Sequence, residues 1–231
     1  MLDIKNLSFS YGGVAAVKSV GLTARSGEIV SVMGRNGVGK TTLMKAIVGL
    51  LQPKTGLICL DDQDVSKRPA YRRVRSGIGY VPQGRMIFPR LTIAENLELA
   101  LSARQDKARS IPTFVYDMFP VLKDMSTRMG GDLSGGQQQQ LAIARALVTD
   151  PKVLILDEPT EGIQPNIIQH IGEVLQTLAK DMNLAVLIVE QYLDFVRTFS
   201  QRFYVMNRGE IVASGETDTL TESIVKDYLS V

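Results

Sequence analysis

The segment Gly34-Arg35-Asn36-Gly37-Val38-Gly39-Lys40-Thr41 constrains this chain more than any other, because it matches the pattern Gly-x-x-x-x-Gly-Lys-Ser/Thr in full. A loop of this kind needs a strand to launch it and a helix to receive it. Gly27–Met33 is a short apolar run of strand length, and Thr41–Leu51 has helix-like spacing. The glycines let the main chain wrap until its N–H groups face inward at phosphate oxygens, and the helix start adds positive charge. Gly34, Asn36, Gly37 and Gly39, with Lys40, Thr41 and Thr42, are therefore the candidate phosphate-binding residues. Lys40 is expected to reach the β and γ phosphates, and the Thr41 hydroxyl to ligate Mg²⁺.

The apolar run Val153–Leu156 ends in Asp157-Glu158-Pro159, two adjacent carboxylates at the carboxyl edge of a strand, where ligands bind in open α/β sheets. Asp157 would hold Mg²⁺ directly or through water. Glu158, leaving the strand in the other direction, could polarise an attacking water. Continuous apolar runs at Lys152–Leu156 and Ala185–Val189, separated by helical periodicity from Ile167 to Leu178, suit a parallel sheet covered on both faces. Leu2–Phe9 and Val14–Thr23 read as paired strands about the Tyr11-Gly12-Gly13 turn, and Phe203–Met206 with Glu210–Ala213 as a hairpin followed by a short helix to Leu229. Between Gly84 and Val148 the texture changes to helical patterns at Thr92–Ser102, Pro112–Val121 and Gln137–Val148, an inserted helical lobe.

A chain of 231 residues, 45% hydrophobic, suits one domain spanning residues 1–231 with that lobe at about 84–148. With 26 Lys and Arg against 24 Asp and Glu, the net charge of +2 gives no footprint for nucleic acid. The one cysteine, Cys59, excludes a disulfide framework and reads as a buried, inert thiol among apolar neighbours. No apolar run approaches the roughly 20 residues of a spanning helix, and the start MLDIKNLSFS is unlike a signal peptide. The expectation is a soluble, intracellular chain that needs a separate polypeptide to cross a membrane.

Leu133-Ser134-Gly135-Gly136-Gln137 precedes another helix, with Ser134 as a potential N-cap and open backbone donors behind it. Alone it is equally a plain capped helix. Lying just upstream of the Leu154-Ile155-Leu156-Asp157-Glu158-Pro159 strand, it resembles the signature of ATP-binding-cassette (ABC) ATPases, and the likeness covers nearly the whole chain. That resemblance implies an α/β P-loop NTPase fold with a RecA-like core, an antiparallel β subdomain and an inserted α-helical subdomain. It implies ATP and Mg²⁺ as ligands, with ATP hydrolysis coupled to transport across a membrane. By the same resemblance Tyr11 stacks on adenine, though alone it is an ordinary turn residue. Gln83 contacts the metal and the water and relays nucleotide state to a permease subunit. Two cassettes pair head to tail, so Ser134 and Gly136 of one chain touch the γ-phosphate on the other.

Two departures from the family pattern stand out. Gln191 occupies the position after Val186–Glu190 where many relatives carry a histidine that contacts the γ-phosphate; its amide can donate a hydrogen bond but cannot take a proton. His170, the only histidine, falls on a helix away from that motif and reads as surface or packing. Glu161-Gly162-Ile163-Gln164-Pro165 lacks the usual aspartate of the loop after the catalytic glutamate. These strings resemble ATPase subunits of importers for branched-chain amino acids and related amides, and with Arg128–Gln140 they look most like the urea-importer branch. The implied setting is the cytoplasmic side of the membrane, beside permease subunits and a second ATPase chain, with a periplasmic or extracellular solute-binding protein acting indirectly. Met86-Ile87-Phe88-Pro89 either offers a docking surface to the permease or packs into its own lobe. A regulatory nucleotide-binding module with low turnover, motivated by Gln191, and an ATPase for branched-chain amino acid import are the alternative readings.

Overall fold

A computed structural model describes residues 1–229. Strands β1 (Leu2–Tyr11) and β2 (Val14–Ala24) form the expected hairpin. β3 (Ile29–Met33) runs into the glycine loop and α1 (Lys40–Val48). That helix stops short of the predicted Leu51, because Gly49 adopts a left-handed φ of 86° and ends the helix. β4 (Thr55–Leu60), β5 (Gln63–Asp64), α2 (Ala70–Ser76) and β6 (Ile78–Val81) follow, none of them delimited from the sequence.

Between β6 and the next strand lie only helices among the described residues: α3 (Ile93–Leu101), α4 (Thr113–Met118), α5 (Pro120–Asp124) and α6 (Gly135–Val148). The single helix predicted over Pro112–Val121 is two, since Pro120 has no N–H to donate and disfavours helical geometry at Phe119, whose φ and ψ are −132° and 71°. β7 (Val153–Asp157), α7 (Pro165–Met182), β8 (Ala185–Glu190), α8 (Leu193–Phe199), β9 (Arg202–Asn207), β10 (Glu210–Glu216) and α9 (Glu222–Tyr228) complete the order. α8 was not anticipated, and α7 is longer than its predicted Ile167–Leu178.

Two sheets result. The first, in order β2-β1-β4-β5, is antiparallel; the second runs β10-β9-β3-β8-β7-β6, parallel from β9 to β6, with β10 added antiparallel at one edge. Side chains alternate across the parallel sheet as the strand period requires. Val30, Val32, Ile155, Leu187 and Val189 face α1 and the first sheet, while Leu154, Leu156, Val186 and Ile188 face α6 and α7. This two-sided burial explains why these strands are continuous apolar runs. Cys59 departs from expectation: it is only half-buried, on β4 opposite Asp3, because alternation puts Ile58 and Leu60 in the core and Cys59 on the other face.

Met86-Ile87-Phe88-Pro89 divides between its two readings. Ile87 packs into the core of the helical segment, whereas Met86 and Phe88 are 66% and 47% exposed. Arg145 secures the stretch from α6, donating to the Met86 carbonyl at 2.7 Å and lying over the Phe88 ring at 5.1 Å. His170 packs edge-on against Phe119, as expected of a packing residue. Among the described residues no helix is long and apolar enough to cross a membrane.

Candidate nucleotide site

Residues far apart in sequence meet because four parallel strands end on the same side. In spatial order β3, β8, β7 and β6, their carboxyl ends deliver the glycine loop, Gln191, Asp157 with Glu158, and Gln83. The junction opens a cavity of about 360 Å³ lined by Tyr11 and Ala16, by Asn36, Gly37, Gly39, Lys40, Thr41 and Thr42 of the loop, and by Gln83 and Glu158.

The loop's close fit leaves no room for side chains at two positions. Gly39 has φ 112°, and a Cβ there would overlap the Ala16 carbonyl oxygen; Gly34 has φ 154°, and a Cβ would overlap the Met206 carbonyl oxygen. Lys40 is buried, its Nζ donating to the carbonyls of Gly34 at 2.6 Å and Arg35 at 2.9 Å and lying 3.7 Å from Glu158 Oε1. Burial pushes its pKa down, and the carboxylates of Glu158 and Asp157 oppose that shift.

Asp157 is the last residue of β7 and is buried; burial raises its pKa against the Thr41 hydroxyl, which donates to Oδ1 at 3.3 Å. A buried carboxylate beside a hydroxyl at the mouth of a phosphate loop is a set of hard oxygen donors, and these residues fit Mg²⁺, which takes one or two protein oxygens and completes its shell with phosphate and water. Tyr80 on β6 points its hydroxyl at Asp157 Oδ2, 3.5 Å away; burial and that carboxylate push the phenol pKa up.

Glu158 follows in a left-handed conformation, φ 51°, its N–H held by the Val189 carbonyl at 2.9 Å. Its Oε1 accepts from Gln191 Nε2 at 2.7 Å and its Oε2 from Gln83 Nε2 at 3.0 Å. Gln191 also donates to Asn36 Oδ1 at 2.8 Å, so its amide bridges the glycine loop and the second carboxylate. Gln83 reaches Glu161 Oε2 as well, at 3.1 Å.

Ser134 and Gly136 lie outside this cavity, at the start of α6. Ser134 caps the helix in a reciprocal pair with Gln137, and Gly136 abuts Ile167 of α7. Tyr11 is half-exposed at the cavity's edge, its ring edge-on to Phe9.

The model of the ABC transporter family matches residues 17–161. This chain belongs to that family. It is 36% identical to the lipopolysaccharide export system ATP-binding protein LptB of Escherichia coli, over 97% of this chain and 95% of that protein. It is 37% identical to the high-affinity branched-chain amino acid transport ATP-binding protein BraG of Pseudomonas aeruginosa, over 92% and 91%. Among solved structures it resembles a dimeric ATP-binding cassette in a post-hydrolysis state bound to ADP and Pi, at 27% identity and a TM-score of 0.83, covering 94% of this chain and 99% of that one. The fold is thus that of an ABC ATPase, the chain is an ATP-hydrolysing transporter subunit, and its ligands are ATP with Mg²⁺.

The sequence reading did not give this ABC ATPase its Glu161, Tyr80 and Glu190 contacts. Tyr80 sits in the quoted Tyr80–Gln83 string, but only the pairing of β6 with β7, Val81 opposite Leu156, brings it to Asp157. Glu190 was read as the end of an apolar strand, and no local signal marks what it touches.

Proposed function

We propose that this ABC ATPase energises an importer of small amides, with urea as the transported solute, from the cytoplasmic face of the membrane. The observation that carries the reading is the cluster of Glu158, Thr160, Glu161, Glu190 and Gln191. In sequence these residues belong to the strings that resemble importer subunits, and in space they form one hydrogen-bonded group around the catalytic carboxylate. The Pseudomonas relative and an Archaeoglobus fulgidus protein named a probable branched-chain amino acid transport ATP-binding protein, 33% identical, support an import assignment. The similarity to LptB makes lipopolysaccharide export the competing assignment.

In this reading Gly34, Asn36, Gly37, Gly39, Lys40 and Thr42 hold the phosphates, and Tyr11 stacks on the adenine ring. Thr41, Asp157 and Gln83 would hold Mg²⁺, which when bound neutralises charge on the phosphoryl oxygens. Glu158 Oε2 orients the attacking water and accepts its proton, while Gln191 fixes Oε1. Ser134 and Gly136 complete the site of a paired ATPase chain, most naturally a related but different one. The helical segment from about 84 to 148, with exposed Met86 and Phe88 beside Gln83, passes closure to a permease helix, and a solute-binding protein acts outside. Beside this surface the Arg85 guanidinium donates to the Glu161 carbonyl at 3.3 Å and packs by Gly135.

The test is uptake of labelled urea and labelled leucine by cells lacking the chain, complemented with the native sequence or Glu158→Gln. Loss of urea uptake alone, restored only by the native chain, is expected, with ATP turnover of the variant down about a hundredfold or more. Loss of leucine uptake instead assigns the amino-acid branch. Normal uptake of both, with defective lipopolysaccharide export, would overturn the import reading.

A further inference from the structure

Glu190 is 2% exposed, and its carboxylate is not among the groups that line the cavity at the phosphate loop. Both oxygens are used. Oε1 accepts from the Thr160 N–H at 3.0 Å and the Thr160 hydroxyl at 2.7 Å; Oε2 accepts from the N–H groups of Gln191 at 2.9 Å and Tyr192 at 3.1 Å. One side chain therefore joins two loops. The first follows the catalytic carboxylate, Glu158, by two residues, and the second carries Gln191 itself.

These loops leave neighbouring strands, since β7 and β8 pair in parallel with Asp157 opposite Val189. Beyond that register point the ladder gives one more bond, Glu158 N–H to the Val189 carbonyl, and then ends. Past it, the Glu190 carboxylate links the two segments through Thr160, and on the far side Gln191 Nε2 meets Glu158 Oε1 at 2.7 Å. The two links close a ring of residues: Glu158, Thr160, Glu190, Gln191 and back to Glu158. A ring closed at both ends fixes the separation of its functional members, which is how a supporting group sets the geometry of a catalytic one.

We infer that Glu190 is a positioning residue for hydrolysis: by riveting Thr160 to the turn at Gln191 and Tyr192, it holds Gln191 where its amide orients the Glu158 carboxylate. The role needs a carboxylate. Four donors converge on it, and an amide in its place has one oxygen to offer and an N–H₂ that would face donors on one of the two loops. Thr160 is the matching half of the rivet through its hydroxyl. The inference rests on the reading of Glu158 as the group that activates water.

The experiment compares Glu190→Gln, Thr160→Val, Gln191→Ala, Glu190→Gln combined with Gln191→Ala, Glu158→Gln and the native chain. It measures ATP affinity by equilibrium binding, turnover per nucleotide-competent chain, and thermal unfolding. A displaced catalytic group costs about tenfold to a hundredfold in rate. Glu190→Gln is expected to lose that much kcat with ATP affinity unchanged within about threefold, Thr160→Val to lose less, and Glu190→Gln combined with Gln191→Ala to lose no more than the larger single effect. Counting turnover per nucleotide-competent chain removes any loss of folded protein from the comparison. If Glu190→Gln and Thr160→Val both turn over normally while Glu158→Gln is slow, the inference is overturned and the reading of Glu158 stands. If Glu158→Gln itself turns over normally, both fall. Affinity and kcat falling together in Glu190→Gln, or losses that multiply with Gln191→Ala, would also overturn the positioning role and leave a structural one.

Discussion

Replacing Arg73 with methionine should cost this ABC ATPase about 2–6 kcal/mol of stability while leaving its nucleotide site in place. Arg73 on α2 is fully buried, and its guanidinium donates to four main-chain carbonyls: Ala46 at 2.8 Å, Ile47 at 2.6 Å, Ser66 at 2.6 Å and Arg68 at 2.8 Å. Two of those carbonyls belong to the last turn of α1, where helix carbonyls lack partners of their own, so Arg73 caps the phosphate-binding helix at its far end. The magnitude follows from which acceptors are left alone. The Ala46 oxygen also accepts from the Gly49 N–H, and the Ser66 oxygen from Gln52 Nε2. The Ile47 and Arg68 carbonyls lose the donor described for them, at about 1–3 kcal/mol for each buried group left unsatisfied. Methionine keeps much of the volume without a charge, which limits any cavity term. Urea unfolding reports the loss as a lower midpoint at constant slope. ATP affinity at a temperature where both proteins are folded should agree within about threefold, since Lys40 and Thr41 sit at the other end of the helix. A loss below about 1 kcal/mol would refute the capping argument, because it would mean water reaches those carbonyls.

Two further outcomes follow from the site. Gly39→Ala should abolish ATP binding with the chain still folded, because the new methyl would overlap the Ala16 carbonyl at a φ of 112°; binding within tenfold of native would show that the loop can move aside. The second concerns pH. Burial raises the Glu190 pKa above its ordinary 4.5, so between 4.5 and the raised value the folded chain holds a proton that the unfolded chain has released. Native stability relative to Glu190→Gln should therefore fall as pH rises through that window, and stay at the lower level above it; unfolding curves that keep a constant offset across the window would contradict the burial of this carboxylate.

The parts of the fold legible in the sequence are those whose burial leaves a periodic record. β3, β7 and β8 are covered on both faces, so their apolar runs announce them, and the glycine loop announces the element on either side. α2 was hidden because its one fully buried residue is Arg73, and a charged residue in the core inverts the pattern by which helices are read. β6 is only four residues, one of them glycine, and is recognisable as a strand only from its pairing with β7. Cys59 was placed by its apolar neighbours, where the alternation of β4 should have put it on the opposite face from Ile58 and Leu60. In the site, Lys40, Thr41, Asp157 and Glu158 were legible from local chemistry, whereas Gln83, Gln191, Ser134 and Gly136 entered through family resemblance. The Glu190 contacts with Thr160 span 30 residues and are set by strand order alone.

The adjacent pair Asp157 and Glu158 shows why even the legible residues needed the structure. Strand alternation was the reason to send the two side chains in different directions, but β7 ends at Asp157, and Glu158 is no longer in a strand. What separates them is the left-handed turn at Glu158, a conformation that costs a side-chain-bearing residue about 1–2 kcal/mol. That strain is offset locally by the bond to the Val189 carbonyl and by the donors on both carboxylate oxygens. The consequence is a division of environments within two residues. Asp157 stays buried against Thr41 and Tyr80 with its pKa raised, fit to meet a metal ion. Glu158 is turned toward Gln83, Gln191 and Lys40 at the cavity wall. A strained backbone at this one position thus sends consecutive carboxylates into two different environments.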